Sequence, residues 1–167
     1  MTGLRKAATI SHGCTAALAA VLALSAPAFG QTQAPPASPP AASGPPIPIE
    51  LNKLEPVSQP AGCRVYMLIT NSDAEPLEQL RLDLILFGTD GVIARRVALD
   101  LGPLPAKKQA VRLFDLQGLP CDDIGKVLIN DVIACSRNPG ATGTEAEREQ
   151  CLNRLALTSR AKAPLTK

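Results

Sequence analysis

The sequence is poor in aromatic and imidazole side chains. It has no tryptophan, one tyrosine, three phenylalanines and a single histidine, His12. Because His12 falls within the signal peptide predicted below, the exported chain has no histidine at all. Ser-His-Asp and Cys-His mechanisms are therefore excluded, as is the usual proton shuttle at neutral pH. The few aromatic rings also offer little to stack against nucleic acid bases.

The sequence also lacks a strong excess of charge. Its 17 basic and 15 acidic residues give a formal net charge of +2, and removal of Arg5 and Lys6 with a signal peptide would leave the two signs equal. Proteins that bind phosphate backbones need a surplus of positive charge. We therefore predict that nucleic acid is not a partner.

The N-terminal apolar run is too short for a transmembrane helix. It extends from about Thr15 to Ala26, roughly a dozen residues, whereas a spanning helix needs about 20. Two basic residues precede this run, and small residues at Ala28 and Gly30 follow it, in the pattern of a cleavable secretory signal. This predicts a signal peptide over residues 1–30, with a second possible cleavage site after Ala28. The alternative is an uncleaved N-terminal anchor.

The export route is less clear from these residues. Cys14 precedes the apolar run, so it does not match a lipidated cysteine, which should follow that run. The Arg5-Lys6 pair is not a twin arginine. The choice between the Sec and Tat pathways therefore stays open, and we predict a periplasmic or secreted protein without a stable membrane span after cleavage.

Composition divides the rest of the chain into three parts. Residues 31–46, QTQAPPASPPAASGPP, are rich in Pro and Ala without periodicity, which predicts a disordered linker that favours polyproline II. This linker either only joins signal and domain or acts as a spacer of about 50 Å. Residues 47–159 form the predicted domain, and residues 160–167 form a predicted disordered tail.

The domain shows the period-two alternation of half-buried strands. In LRLDLILF, leucines occupy every second position from Leu80 to Leu86, while Arg81 and Asp83 begin the other face, which we expect to be solvent-exposed. Similar segments recur with turns between them, about seven in all. They predict an all-β, single immunoglobulin/fibronectin III-like sandwich. Pro48 lacks a backbone donor, so the first strand is expected at a sheet edge.

Four cysteines remain after the predicted signal: Cys63, Cys121, Cys135 and Cys151. An even number in an exported chain predicts disulfides. If seven strands alternate in direction, the first two cysteines fall at one end of the sandwich and the last two at the other. We therefore predict Cys63–Cys121 and Cys135–Cys151, because the other pairings join points about 20 Å apart. A metal or redox site is the alternative, but no CxxC spacing supports it.

The best carboxylate cluster is Asp122-Asp123, with Asp131 on the following strand. Adjacent residues of an extended chain point to opposite faces, so the pair is poorly arranged for acid–base work and a solvated turn is the preferred interpretation. Asp131 is expected where its strand face becomes exposed. We predict no catalytic, cofactor-binding or metal-binding residue, and no cofactor.

A possible partner contact is basic. Arg95 and Arg96 on the fourth strand, with Lys107 and Lys108 before the fifth, would form a small basic patch if they lie together. The alternative is that these charges protect edge strands from unwanted pairing.

The series GCRVYMLITN, LRLDLILFGTDGVIARR, LFDL and IGKVLINDV, over residues 47–159, resembles small exported bacterial β-sandwich proteins of the kind labelled Tat pathway signal sequence domain protein. The resemblance implies an immunoglobulin- or fibronectin-like fold and export. It implies no activity, since a fold alone does not supply function, and the missing twin arginine departs from the label.

These observations favour a non-enzymatic periplasmic module that binds or supports another cell-envelope protein, by strand addition at a sheet edge. Two alternatives remain: a small carboxylate-using hydrolase or ligand-binding protein, and a secreted inhibitor presenting the 136–150 loop. That loop is predicted to be polar with at most one helical turn near Glu145 to Gln150.

Overall fold

The computed structural model describes residues 44–167. The predicted signal peptide of residues 1–30 and linker residues 31–43 lie outside that part of the chain. The described residues form eight strands, one short 3-10 turn at Cys121–Asp123 and one helix. Their bounds are β1 Ile47–Ser58, β2 Ala61–Thr70, β3 Gln79–Gly88, β4 Ile93–Asp100, β5 Gln109–Gln117, β6 Ile124–Ser136, α1 Glu145–Arg154, β7 Leu155–Ser159 and β8 Leu165–Thr166.

The strands form two four-stranded sheets, one in the order β5-β2-β1-β7 and the other in the order β4-β3-β6-β8. Neighbours are antiparallel except for β1 with β7 and β6 with β8, which are parallel. The all-β prediction is confirmed, and the seven predicted strands correspond to β1 through β7.

Alternating side chains of both sheets supply a single hydrophobic core. The predicted inward faces of the second and third strands are both buried, and they belong to one cluster. Burying a side chain of this size stabilises the fold by about 1.5–3 kcal/mol, so these two strands alone contribute much of the driving force. The buried residues on these two faces are Val65, Met67 and Ile69 on β2, and Leu80, Leu82, Leu84 and Leu86 on β3.

The expectation that the first strand lies at an edge is wrong. β1 lies between β2 and β7, and Pro48 lies opposite Ala156 of β7. The ladder with β2 begins only at Ile49. Pro48 therefore sits just past the end of that ladder, where a missing amide donor breaks no β1–β2 hydrogen bond.

The segment predicted as a disordered tail instead packs on the domain. Leu165–Thr166 form β8, which pairs with Val127 and Leu128 of β6. Ala163 and Leu165 are buried. Lys167 donates to the carbonyl oxygens of Leu152, Asn153 and Leu155 at 2.7 to 3.2 Å, at the C-terminal end of α1. The buried side chains of Ala163 and Leu165 and the ammonium group of Lys167 thus hold a segment whose sequence shows no periodicity.

The helix is longer than the single turn predicted near residues 145–150. α1 covers ten residues and takes Cys151 and Arg154 out of the predicted last strand. It begins with a capping box, in which Thr144 accepts from the backbone of Glu147 and Glu147 accepts from the backbone of Thr144. The sequence Thr144-Glu145-Ala146-Glu147 carries this signal, so the helix start was open to prediction.

Candidate functional site

Both predicted disulfides are present, and they lie at opposite ends of the two sheets. Cys63 of β2 is bonded to Cys121 in the turn before β6, with 4.8 Å between Cα atoms. Cys135 at the end of β6 is bonded to Cys151 of α1, with 6.5 Å between Cα atoms. The pairing inferred from strand alternation is confirmed. Two such bonds are typical of a protein that resides in an oxidising, non-cytoplasmic compartment.

The second bridge fixes α1 against β6 together with a close backbone approach at Gly143. Gly143 has a φ of 79° and nearby Gly140 has a φ of 74°. Both angles lie in the left-handed region that other residues rarely adopt. A Cβ at Gly143 would overlap the carbonyl oxygen of Cys135. The 136–150 loop, predicted as the segment that an inhibitor would present, is short, because only its first half lies outside α1.

The predicted carboxylates do not converge. Asp122 and Asp123 lie exposed in the 3-10 turn. Asp131 is eight residues further along β6, about 25 Å away in an extended strand. Register shifts around Asp131 leave it exposed, while Ile129 and Val132 on either side are buried. The interpretation of Asp131 as an exposed residue at a change of face fits this geometry.

Arg95 and Arg96 point to different sides of β4. Arg95 donates to the carbonyl oxygen of Gln117 at 2.7 Å and so ties the edge strand of one sheet to the end of β5 in the other. Arg96 forms a bidentate pair with Asp83, at 2.7 and 2.9 Å. Both guanidinium groups are thus occupied by intramolecular partners.

Lys107 and Lys108 lie at the opposite end of β5 from Gln117. Lys107 adopts a φ of 55°, and its side chain donates to the carbonyl oxygen of Ser72 at 2.6 Å. Lys108 is exposed, and its carbonyl oxygen accepts from Asn71. A nine-residue strand separates these lysines from Gln117 by about 30 Å. The four basic residues proposed as a partner contact therefore do not form one patch.

Asp83 is buried, although its position on β3 predicted exposure. Only 3% of the residue is exposed. Arg96 of β4 and Asn130 of β6 both donate to its carboxylate from the neighbouring strands. The charged hydrogen bonds from Arg96, helped by the Asn130 amide, hold the pKa of Asp83 below its ordinary value, against the opposing effect of burial. These contacts could not be predicted from sequence, because Arg96 and Asn130 lie 13 and 47 residues from Asp83.

An ion pair in which both side chains are buried was also missed. Arg154, at the end of α1, donates to Asp73 at 2.6 Å, and both side chains are 8% exposed. The same guanidinium donates to the carbonyl oxygen of Pro45 at 2.8 Å. Arg137 approaches Asp73 to 3.6 Å and Glu75 to 3.1 Å. Asp73, Arg137 and Arg154 border a polar cavity of about 110 Å³ beside the Cys135–Cys151 bridge, and with Glu147 the charges that line it balance.

The outer face of β5 and β2 carries exposed apolar side chains. Val111 and Leu113 are 51% and 53% exposed, and they lie opposite Leu68 and Tyr66 of β2 in the ladder. We call these four residues the β5 apolar ladder. They form two consecutive cross-strand pairs, next to an edge of the sheet that pairs with no other strand among residues 44–167.

An ion pair closes one end of the β5 apolar ladder. Arg64 binds Asp115 through two hydrogen bonds of 2.7 and 2.9 Å, and the hydrogen bonds from the guanidinium hold the pKa of Asp115 below its usual value. Exposed hydrophobic groups rimmed by polar residues are typical of interaction surfaces. The alternation rule places Val111 and Leu113 on one face, but only the sheet order shows that this face is outward.

Two negative findings apply to residues 44–167 alone. No cluster of three or more His, Cys, Asp or Glu side chains in this range is arranged to hold a metal ion. No helix in it is both long enough and apolar enough to cross a membrane.

Comparison with family models, curated proteins and solved structures finds no match to this chain.

Proposed function

We propose that the protein is a non-enzymatic periplasmic module that binds another cell-envelope protein through the β5 apolar ladder. The observation that carries the proposal is the pair of half-exposed aliphatic side chains on an edge strand. An edge strand offers unpaired backbone groups, and the outward side chains of a strand added there would pack beside Val111 and Leu113. Export agrees with the two disulfides and with the predicted signal peptide.

The strand order supports an immunoglobulin- or fibronectin-like sandwich as the scaffold. In the immunoglobulin pattern, the first, second and fifth strands share one sheet, and the third and sixth share the other. Here β1, β2 and β5 are neighbours in one sheet, and β3 and β6 in the other. The departures are β4, which pairs with β3 instead of β5, and β7, which pairs with β1 instead of β6. We propose a variant of that fold, consistent with the resemblance to small exported β-sandwich proteins.

Site-specific photo-crosslinking in the cell envelope tests this function. A photoreactive amino acid at Leu113 is expected to give a discrete adduct with one envelope protein. The same amino acid at Ala98, an exposed position on the edge strand β4 of the other sheet, is the matched control and should give none. Val111→Asp should abolish the Leu113 adduct while stability changes by no more than about 0.5 kcal/mol, since the site is exposed.

Two results would contradict the proposal. One is the absence of any discrete adduct from Leu113 in cells that contain the folded, disulfide-bonded protein. The other is an identical set of adducts from Leu113 and Ala98, which would indicate random collision with neighbours in place of a binding face.

A further inference from the structure

The edge of β1 is only partly covered by β7. β1 pairs with β2 from Ile49 to Ser58, but with β7 only from Ile47 to Leu51. The chain then leaves the sheet, and the backbone amides of Arg160 and Ala161 both donate to the carbonyl oxygen of Leu51. Beyond this point, no strand within residues 44–167 pairs with that edge of β1. The edge from residue 52 to residue 58 is therefore open.

A groove runs beside this open edge. It consists of two adjoining cavities of about 300 and 360 Å³, which share Pro56, Cys121 and Asp122 as lining residues. Their combined size is in the range of sites that bind small ligands or short peptide segments. We call it the β1 groove. Its walls are the second half of β1, the turn around Cys121 and the segment that follows β7.

The two halves of the β1 groove differ in character. The half near the end of β7 contains three cations, Lys53, Arg160 and Lys162. The first two are already paired with acidic neighbours on β1. Lys162 is exposed and makes no ion pair with any residue of the described chain. Asp122 lies at the junction of the two halves and lines the same half as Lys162, so an acidic side chain of an occupant is favoured only at the Lys162 end.

The half near the β1–β2 hairpin is mostly apolar, because its walls contain Pro56, Val57, Ala61 and Pro120. Pro56 and Pro120 supply rigid apolar surface without amide donors. Pro56 also removes one donor from the open edge, which disfavours pairing with a long, flat sheet. A short segment that uses the remaining backbone groups suffers less from this loss.

We propose that the β1 groove binds an extended peptide segment of another protein, about six residues long, as a strand added beside β1. Six residues at about 3.3 Å each span the open edge. The occupant would place apolar side chains near Val57 and an acidic residue near Lys162. This site lies on the β7 side of the sheet, whereas the β5 apolar ladder lies at the β5 edge. The two proposals therefore stand independently.

Titration of the exported, ¹⁵N-labelled protein with defined peptides tests the inference. The probes are capped heptapeptides of alternating valine and threonine with two glutamates at one end, made in both directions. The matched control peptides carry lysines in place of the glutamates. We expect saturable chemical-shift changes at Leu54 and Val57, and binding of a glutamate peptide about 2- to 5-fold tighter than that of its lysine counterpart, the range set by one exposed ion pair.

A charge reversal identifies the cation. Lys162→Glu should reverse the preference between the glutamate and lysine peptides. Lys108→Glu, an equally exposed lysine far from the groove, should leave the preference unchanged. Neither residue takes part in an ion pair with a described residue, so both variants should fold.

Three outcomes would overturn the inference: no saturable shifts along residues 52–58 up to about 1 mM peptide, equal affinity for both peptide types, or an unchanged preference in Lys162→Glu. In one form of the first outcome the shifts are confined to β5, and that result would at the same time support binding at the β5 apolar ladder. The failure of this inference is thus distinguishable from failure of the proposed function.

Discussion

At the scale of single residues, the charged side chains that shape the domain are those buried between segments far apart in sequence. Asp83 joins three adjacent strands through Arg96 and Asn130. Arg154 joins the start of the domain to the β2–β3 loop through Pro45 and Asp73. A buried charge of this kind is tolerated only when its partners satisfy it, so each partner becomes structurally important.

Asp83→Asn should lower the free energy of unfolding by about 1–3 kcal/mol at pH 7, because it removes a charge-assisted pair within the folded state. The pKa of Asp83 is held below its ordinary value of 3.8 in the folded protein. The carboxylate therefore stabilises the fold above that pH, and this stabilisation is lost as the pH falls through the folded-state pKa. Urea unfolding of wild type and variant across this range measures the difference.

The matched control is Asp123→Asn, an exposed carboxylate in the turn before β6. It should change stability by no more than about 0.5 kcal/mol. A difference between wild type and Asp83→Asn that stays constant down to the acid end would show that the ionised carboxylate is not the stabilising group.

At the scale of elements, α1 depends on its ends more than on its packing face. Cys151 and Arg154 are its only buried residues. The capping box holds its start, the Cys135–Cys151 bridge holds its second turn, and Lys167 binds carbonyl groups at its end. A helix of ten residues is marginal in isolation, so these three attachments account for its presence.

Thr144→Ala should therefore destabilise the protein by about 1 kcal/mol, the usual cost of losing an N-terminal capping residue. Hydrogen exchange should accelerate in α1 more than in β3. Thr142→Ala, two residues earlier and outside the capping box, is the matched control and should have little effect. Equal stability of the two variants would mean that the capping box does not measurably stabilise the helix.

How far the sequence predicts this molecule also differs between elements. The strands of the core and both disulfides were predictable, because period-two alternation and strand direction are local rules. Burial of Asp83, β8 and the interior position of β1 were not, because each depends on which strands become neighbours. The capping box at Thr144 was a local signal that could have extended the predicted helix. The separation of Arg95 from Lys108 likewise follows only from the sheet order.

At the scale of the whole molecule, the two disulfides contribute much of the stability. The bridges close segments separated by 58 and 16 residues. In the loop-closure model they stabilise the fold by about 4 and 3 kcal/mol, a large share of the 5–15 kcal/mol typical of a domain. Folding without oxidation would leave the domain close to instability, which agrees with a destination outside the cytoplasm.

Intact mass and non-reducing peptide mapping of protein recovered from the periplasm should show a chain that starts at Gln31 and contains Cys63–Cys121 and Cys135–Cys151. Reduction should shift thermal unfolding sharply downward. A chain that retains residues 1–30, or that carries free thiols at the four cysteines, would contradict export by a cleaved signal.

The parallel pairing of β1 with β7 has a mechanical consequence. When tension is applied before residue 44 and after residue 159, these two strands are pulled past one another, so their five-residue ladder is loaded in shear. Hydrogen bonds loaded in this way share the force and must break together. The two bridges also prevent the segments they enclose from lengthening under load. The β1–β7 ladder is therefore expected to resist such tension better than a ladder whose hydrogen bonds break one at a time.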